Sequence, residues 1–383
     1  MSREHVAALF GPAAEADAEL NEALRDSVRA FARRTQAQAG GDAGERRARE
    51  LAEIAQAGWF GLIASEAHGG AALPVAALVA LYEALGRWGV TANYATLGVL
   101  GLIALELCEA RPAGEELIAQ LVDGSACPVL CWQQVSGADE RDIVFAPAVL
   151  TGEAVSVSLR SAFVEFADLA THFLFPVELH GRAGLLVVGA GAPGLHLDLR
   201  PSLSGGPIAT VSFEGAVSDS GFLPLAARGE LTRAFVLARI AAAAHLTGLV
   251  ENILELTADY TAQRVQFGKP IAANQAVQHR LVDMWGQKEL ARVVAARAGA
   301  ACSDGAAQAE LAACAAKARA AAAAQMVTTG AFQLHGAIGY TGEYVLGDLA
   351  RACLGLVPWL GGPTAMRRRF VELERQANQG SHR

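Results

Sequence analysis

The chain has 383 residues, a net charge of −8 at pH 7, 52% hydrophobic residues and 18% charged residues. That composition can bury a large core and excludes a disordered chain. The acidic balance gives no general attraction for nucleic acid or an anionic membrane, and the length suits two or three units of roughly 100–200 residues each.

Taken in chain order, residues 1–125 read as a helical domain. Leu20, Leu24, Val28 and Phe31 fall at helical spacing, and residues 48–57 and 76–84 continue the pattern, with Gly58 and Gly69-Gly70 as punctuation. Residues 126–225 change character. Short Val-rich or alternating runs at 143–149, 154–159, 172–177, 183–188 and 209–213, separated by Gly, Pro and Asp, predict an antiparallel β-barrel or sandwich. Residues 226–383 return to long helices over 232–263, 275–300 and 306–332, with a shorter one near 365–376. The Ala-rich stretch 309–324, where Lys317 and Arg319 are among the few charges, is a strong helix by propensity alone. The expected fold is α+β, mainly α, with the β unit between a helical domain and a four-helix bundle.

Six cysteines, at 108, 127, 131, 302, 314 and 353, form no CxxC pair and no zinc-site spacing with histidine. They read as reduced core residues of a cytosolic protein, and no metal site is expected. The chain is charged from Arg3-Glu4 onward, and its apolar stretches, such as 240–246, are shorter than the ~20 residues of a membrane span. The expectation is a soluble cytoplasmic protein. The basic run Arg367-Arg368-Arg369 reads as a solvated helix end.

Two C-terminal motifs carry chemistry. The first is Arg264-Val265-Gln266-Phe267-Gly268-Lys269-Pro270, where Gly268 and Pro270 stop a long helix. Arg264 either caps that helix or offers its planar fork to a diphosphate, and Phe267 can pack against a flat ring. The second is Gln333-Leu334-His335-Gly336-Ala337-Ile338-Gly339-Tyr340-Thr341, in which Gln333 offers a donor and an acceptor and the glycines either allow close backbone approach to a ligand or cap a helix.

In this order, separated by one helical hairpin, the two motifs resemble the acyl-CoA dehydrogenase family. Its pattern runs Arg-x-Gln-Phe-Gly-Lys-Pro-Ile, then Gln-x-x-Gly-Gly-x-Gly-Tyr-Thr. Ile271, Gln275, Leu281, Asp283 and Met284 also match, as do Gly58-Trp59-Phe60-Gly61, Glu66 and Gly69-Gly70 near the N-terminus. The resemblance implies FAD held between the β domain and the bundle, an acyl-CoA or other acyl thioester as substrate, a base that removes the α-proton, and a flavin that takes the β-hydrogen as hydride. It also implies that Arg264, Gln266, Phe267, Gln333, Gly336 and Ala337 touch the FAD of a neighbouring subunit, in a homo- or hetero-oligomer built as a dimer of dimers.

The departures from the family fall on one side. The usual base stretch, Tyr-Glu-Gly-Thr, reads Trp359-Leu360-Gly361-Gly362-Pro363-Thr364, so Leu360 stands where the base is expected, and leucine accepts no proton. Some relatives place the base on the first bundle helix before an Arg. Here that Arg is Arg239, a candidate substrate-binding residue, and Ala238 precedes it. His245, six residues on, is a packed histidine or a displaced base. The family's Thr-Glu-Pro-x-x-Gly-Ser-Asp loop reads Trp132-Gln133-Gln134-Val135-Ser136-Gly137-Ala138-Asp139, without the Thr and Ser hydroxyls. Phe163-Val164-Glu165 takes the place of the Trp-Ile-Thr stretch beside the flavin, making Phe163 and Val164 cofactor candidates. Glu165 is either a displaced acid–base group or a surface strand residue. Positions 335–343 and 360–363 resemble the subunit lacking the base in paired, unlike dehydrogenases of actinobacterial steroid and related catabolism. A self-sufficient flavoenzyme with a relocated base or a monooxygenase reaction, and a non-enzymatic structural partner, are the alternatives.

Overall fold

A computed structural model describes residues 2–9, 18–37, 43–134, 138–203, 206–342 and 344–380. Of the positions compared with the family above, Val135, Ser136, Gly137 and Glu343 lie outside the described residues. Helices α1 (Ser2–Ala8), α2 (Ala18–Ala37), α3 (Ala43–Gln56), α4 (Val75–Arg87), α5 (Leu102–Glu106) and α6 (Pro112–Asp123) come first. On α2, Leu24, Val28 and Phe31 are buried at the expected spacing, and Phe31 meets Trp59 edge to face at 5.3 Å. Pro112 opens α6, and Gly124 closes it with φ +82°. Between α4 and α5 the chain makes a π-helical stretch, Thr96–Gly101, an irregularity found most often at functional sites.

The strands are β1 (Pro128–Leu130), β2 (Ala146–Thr151), β3 (Ala154–Glu165), β4 (His172–Leu179), β5 (Arg182–Gly189), β6 (Leu195–Pro201), β7 (Pro207–Ser218) and β8 (Phe222–Pro224). They form an eight-stranded sheet in the order β6-β7-β3-β2-β4-β5-β8, with β1 also pairing β4. Most neighbours run antiparallel, as expected, but β1 and β2 each run parallel to β4. Val155, Val157 and Leu159 of β3 point inward while Ser156, Ser158 and Arg160 point out, the period-two pattern of a sheet with one covered face.

The C-terminal helices are α7 (Thr232–Gln263), α8 (Gln275–Ala301), α9 (Ala306–His335), α10 (Leu346–Leu356) and α11 (Pro363–Gly380). A short hairpin, β9 (Val265–Gln266) and β10 (Lys269–Pro270), joins α7 to α8. Helix α7 packs along α9 and α4 and corrects one expectation. By length and composition it is apolar enough to cross a membrane, yet 94% of its most apolar window is buried inside the chain. Its small residues allow that burial. A Cβ on Gly248 would lie 2.0 Å from the Glu83 carbonyl oxygen, and one on Gly86 would lie 2.2 Å from that of His245, so α4 and α7 touch backbone to backbone.

Candidate active site

The site is built from β3 upward. Its pairing with β7 slips between Ser161 and Val164. Such a bulge re-aims a side chain. Phe163 takes φ +57° and turns its ring outward at 42% exposure, while Val164 turns into the core. The carbonyl of Gln133 accepts hydrogen bonds from Ser161 Oγ at 2.8 Å and from the Ala162 N–H at 2.7 Å, which fixes the 131–134 segment against the bulge. Opposite stands the segment after α10. Gln133, Phe163, Glu165 and Ile208 on one side, with Pro358 and Trp359 on the other, line a cleft of about 320 Å³. Phe163 and Glu165 thus face the cleft, and Val164 does not.

Glu165 is the carboxylate of this cleft. One oxygen, Oε2, accepts hydrogen bonds from Thr96 Oγ1 at 2.7 Å and Asn93 Nδ2 at 2.9 Å, both in the N-terminal helical region. Burial raises its pKa above the ordinary glutamate value, against the lowering effect of those two bonds. A surface strand position is therefore corrected to a latch between β3 and the Thr96–Gly101 stretch.

Neither expected base position carries an ionisable group. Leu360 is 1% exposed and Ala238 is fully buried. Leu360 holds φ +56° and Gly361 φ +100°, a backbone strained for leucine. Arg239 Nε donates to the Leu360 carbonyl at 3.0 Å, and its two terminal nitrogens form a fork with both oxygens of Glu140. Arg239 has no solvent exposure. The substrate-binding expectation for it is thus corrected, because every arm of its guanidinium is committed inside the protein. His245 is also corrected as a displaced base. It is buried between α7 and α4 with Nε2 2.7 Å from the Val90 carbonyl, and burial pushes its pKa down to about 4.

Two residues escaped the sequence reading. Glu140 follows the altered loop and holds Arg239. Lys317, buried on α9, donates from Nζ to the carbonyls of Val357 at 2.8 Å and Gly361 at 3.3 Å. Burial, followed by the charge of Arg239, pushes its pKa down to about 7. The available signal was a lone lysine amid alanines.

The two C-terminal motifs meet at one end of the bundle. The β9–β10 hairpin turns at Phe267 and Gly268, with φ +53° and +79°, as a two-residue hairpin with positive φ at both corners requires. Phe267 is 99% exposed. Arg264, Gln266, Gln333 and Ala337 are exposed too. Gly336 adopts φ +64° and ψ −141°, which only glycine does without strain. One cluster joins the motifs. Tyr260 stacks on His335 at 4.4 Å and donates from its hydroxyl to the His335 carbonyl at 3.3 Å. His335 Nδ1–H donates to the Ala331 carbonyl at 2.9 Å, and burial keeps the ring below the usual histidine pKa. Phe332 and Tyr340 stack at 4.6 Å, with Tyr340 75% exposed.

These residues divide the fit to FAD into two halves. The outer half offers an exposed guanidinium, two exposed amides and an exposed ring, the donors and flat surfaces that a diphosphate and an adenine take. In the chain's own cleft, Trp132 is buried edge to face on Phe235 at 4.8 Å and Ala138 is buried, so neither position supplies a hydroxyl.

Residues 18–109 match the acyl-CoA dehydrogenase N-terminal domain and residues 230–373 the acyl-CoA dehydrogenase C-terminal domain. The chain is 29% identical to 3-sulfinopropanoyl-CoA desulfinase of Paraburkholderia xenovorans over 288 residues, 70% of this chain and 71% of that protein. Among solved structures, a variant of the Tcur3481-Tcur3483 steroid ACAD is 26% identical, with a TM-score of 0.80 over 94% of this chain and 99% of that one. The ChsE4-ChsE5 complex from Mycobacterium tuberculosis shares the fold, at 22% identity and a TM-score of 0.80 over 93% and 97%. With both domain matches covering well over half its length, the chain belongs to the acyl-CoA dehydrogenase family, oxidoreductases that act on CH–CH bonds of acyl-CoA with FAD as cofactor.

Proposed function

We propose that this chain is the subunit without a base in a heteromeric acyl-CoA dehydrogenase, contributing to an active site completed by a second family member. One observation carries the reading. The base positions are filled by Leu360 and Ala238, both sealed in the core, while the motifs that serve a neighbour's cofactor stand in solvent. The proposed units are 1–125, 126–225 and 226–383, and the proposed setting is the cytoplasm.

FAD bound at the joint site supplies the hydride acceptor for α,β-desaturation of an acyl thioester. This chain's part is to bind and orient. Arg264, Gln266, Phe267, Gln333, Gly336 and Ala337 would together hold the diphosphate and adenine of that FAD, with the exposed Phe267 ring able to cover a flat face and exclude water. The α-proton goes to a carboxylate of the partner, because no proton acceptor stands at either of this chain's base positions. The exposed Val282, Trp285 and Val293 of α8 supply an apolar face suited to subunit contact.

The test is flavin content and desaturase activity of the chain alone and of the chain co-produced with a candidate partner from the same family. The expected result is little flavin and no activity alone, and both in the complex. One FAD per chain and turnover from the single protein would overturn the reading. Glu165 supports a second reading, a self-sufficient flavoenzyme with a relocated base, since it is a carboxylate of raised pKa facing the cleft. Turnover by the single chain that Glu165→Gln abolishes would favour it. A complex that assembles without flavin would instead favour a structural partner.

A further inference from the structure

Behind the cleft lies a group of buried charges that the proposed chemistry does not use. Arg239 of α7 is paired with Glu140, and Asp139 beside it is taken by Arg141. One turn before Lys317 on α9 is Cys314, a buried thiol whose pKa burial pushes up to about 11. Further along, Glu310 pairs with Arg369 of α11. The segment Val357-Pro358-Trp359-Leu360-Gly361 brings no charged side chain. Glu140 thus balances Arg239, and among the described residues a proton on Lys317 has no carboxylate of its own.

We infer that Lys317 is a positioning residue whose proton sets how tightly the 357–361 segment is held, and with it Trp359 at the cleft wall. Three backbone carbonyls of this segment are bound by two buried cations. Val357 and Gly361 accept from Lys317, and Leu360 accepts from Arg239. Arg239 stays charged throughout. Lys317 does not, because burial brings its titration to about 7. As an ammonium it makes charge-assisted bonds to both carbonyls, roughly twice as strong as those of a neutral amine. Leu360 sits in a left-handed conformation that it does not favour, so a weaker clamp lets the segment relax. The clamp is built from this chain's own residues, so a failure of the heteromeric reading leaves the inference standing.

Fluorine NMR of the full chain labelled with 5-fluorotryptophan tests it. The resonance missing from Trp359→Phe belongs to Trp359. In the native chain that resonance shifts between pH 6 and 8.5 with a midpoint near 7. Lys317→Met abolishes the titration and leaves Trp359 in the high-pH position throughout. Lys317→Gln, which keeps a neutral N–H donor, also gives a flat profile and serves if the methionine variant does not fold. A flat profile in the native chain would overturn the inference. So would a midpoint near 7 that persists in either variant.

Discussion

The backbone contact between α4 and α7 makes Gly248→Ala a demanding test of the architecture. A Cβ there lies 2.0 Å from the Glu83 carbonyl oxygen, 2.6 Å from the Arg87 nitrogen and 3.0 Å from the Glu83 carbonyl carbon. All three are main-chain atoms of a helix, so no side chain can swing aside. Relief requires the helices to part by about 1 Å, which strains the contact between His245 and Val90 and the ion pairs of Arg87 with Glu251 and Glu255. Overpacking of this kind costs about 1–3 kcal/mol or somewhat more. Alanine's better helix propensity offsets about 1 kcal/mol of it. Because the contact is with immovable main chain, the cost falls at or above the top of that range, and the net expectation is a loss of about 2 kcal/mol in urea unfolding. Gly286→Ala, on the outer side of α8 with nothing within 4 Å of its Cβ, is the control and should gain up to about 1 kcal/mol. If the two variants prove equally stable, α4 and α7 do not approach as described.

Lys317 makes stability depend on pH. Its folded pKa of about 7 lies below the ordinary 10.5, so between those values the unfolded chain carries a proton that the folded chain has shed. Stability therefore rises with pH in this window, by up to about 1.4 kcal/mol per pH unit, and the cost of burying the charge is fully present below 7. The native chain minus Lys317→Met, compared by denaturant unfolding from pH 6 to 8.5, should show this slope, and parallel curves would refute it. Glu165 has a raised pKa, so its contribution is full at acid pH and lost as pH rises through the folded value. Glu165→Gln should accordingly gain on the native chain at pH 8 relative to pH 4, and the opposite trend in melting temperature would refute the desolvation account. In the co-produced complex, Arg264→Ala should lower flavin affinity by about tenfold or more, as loss of a charge-assisted bond of about 1.5–3 kcal/mol implies. Unchanged flavin retention during gel filtration would remove Arg264 from the site.

The regular parts of the fold were legible because their periodicity is local. Helix α7 occupies the expected span, and five of the strands lie where Val-rich or alternating runs place them. β6 was missed although Leu195, Leu197 and Leu199 alternate, since it is an edge strand with little burial on either face. Helix α10 was missed because Gly347 and Gly355 interrupt a short pattern. The two C-terminal motifs were legible as residue types in sequence. The buried clamp was not. Arg239 finds Glu140 99 positions away, and Lys317 bonds to main-chain carbonyls, which no side-chain pattern reveals. The reach of Glu165 to Asn93 and Thr96 likewise depends on how the sheet docks on the helices.

Phe267, at 99% exposure on its hairpin tip, with Tyr340 and Trp285 also in water, has a consequence for how the protein is made. On the heteromeric reading proposed above, a newly synthesised copy that has not met its partner would present those rings to every other hydrophobic surface around it, including other copies of itself. Surplus copies would then be removed by aggregation or by proteases. If that reading holds, balanced synthesis of the two proposed partners, by translation from one message or by pairing while the second chain is still emerging, would spare the cell that loss.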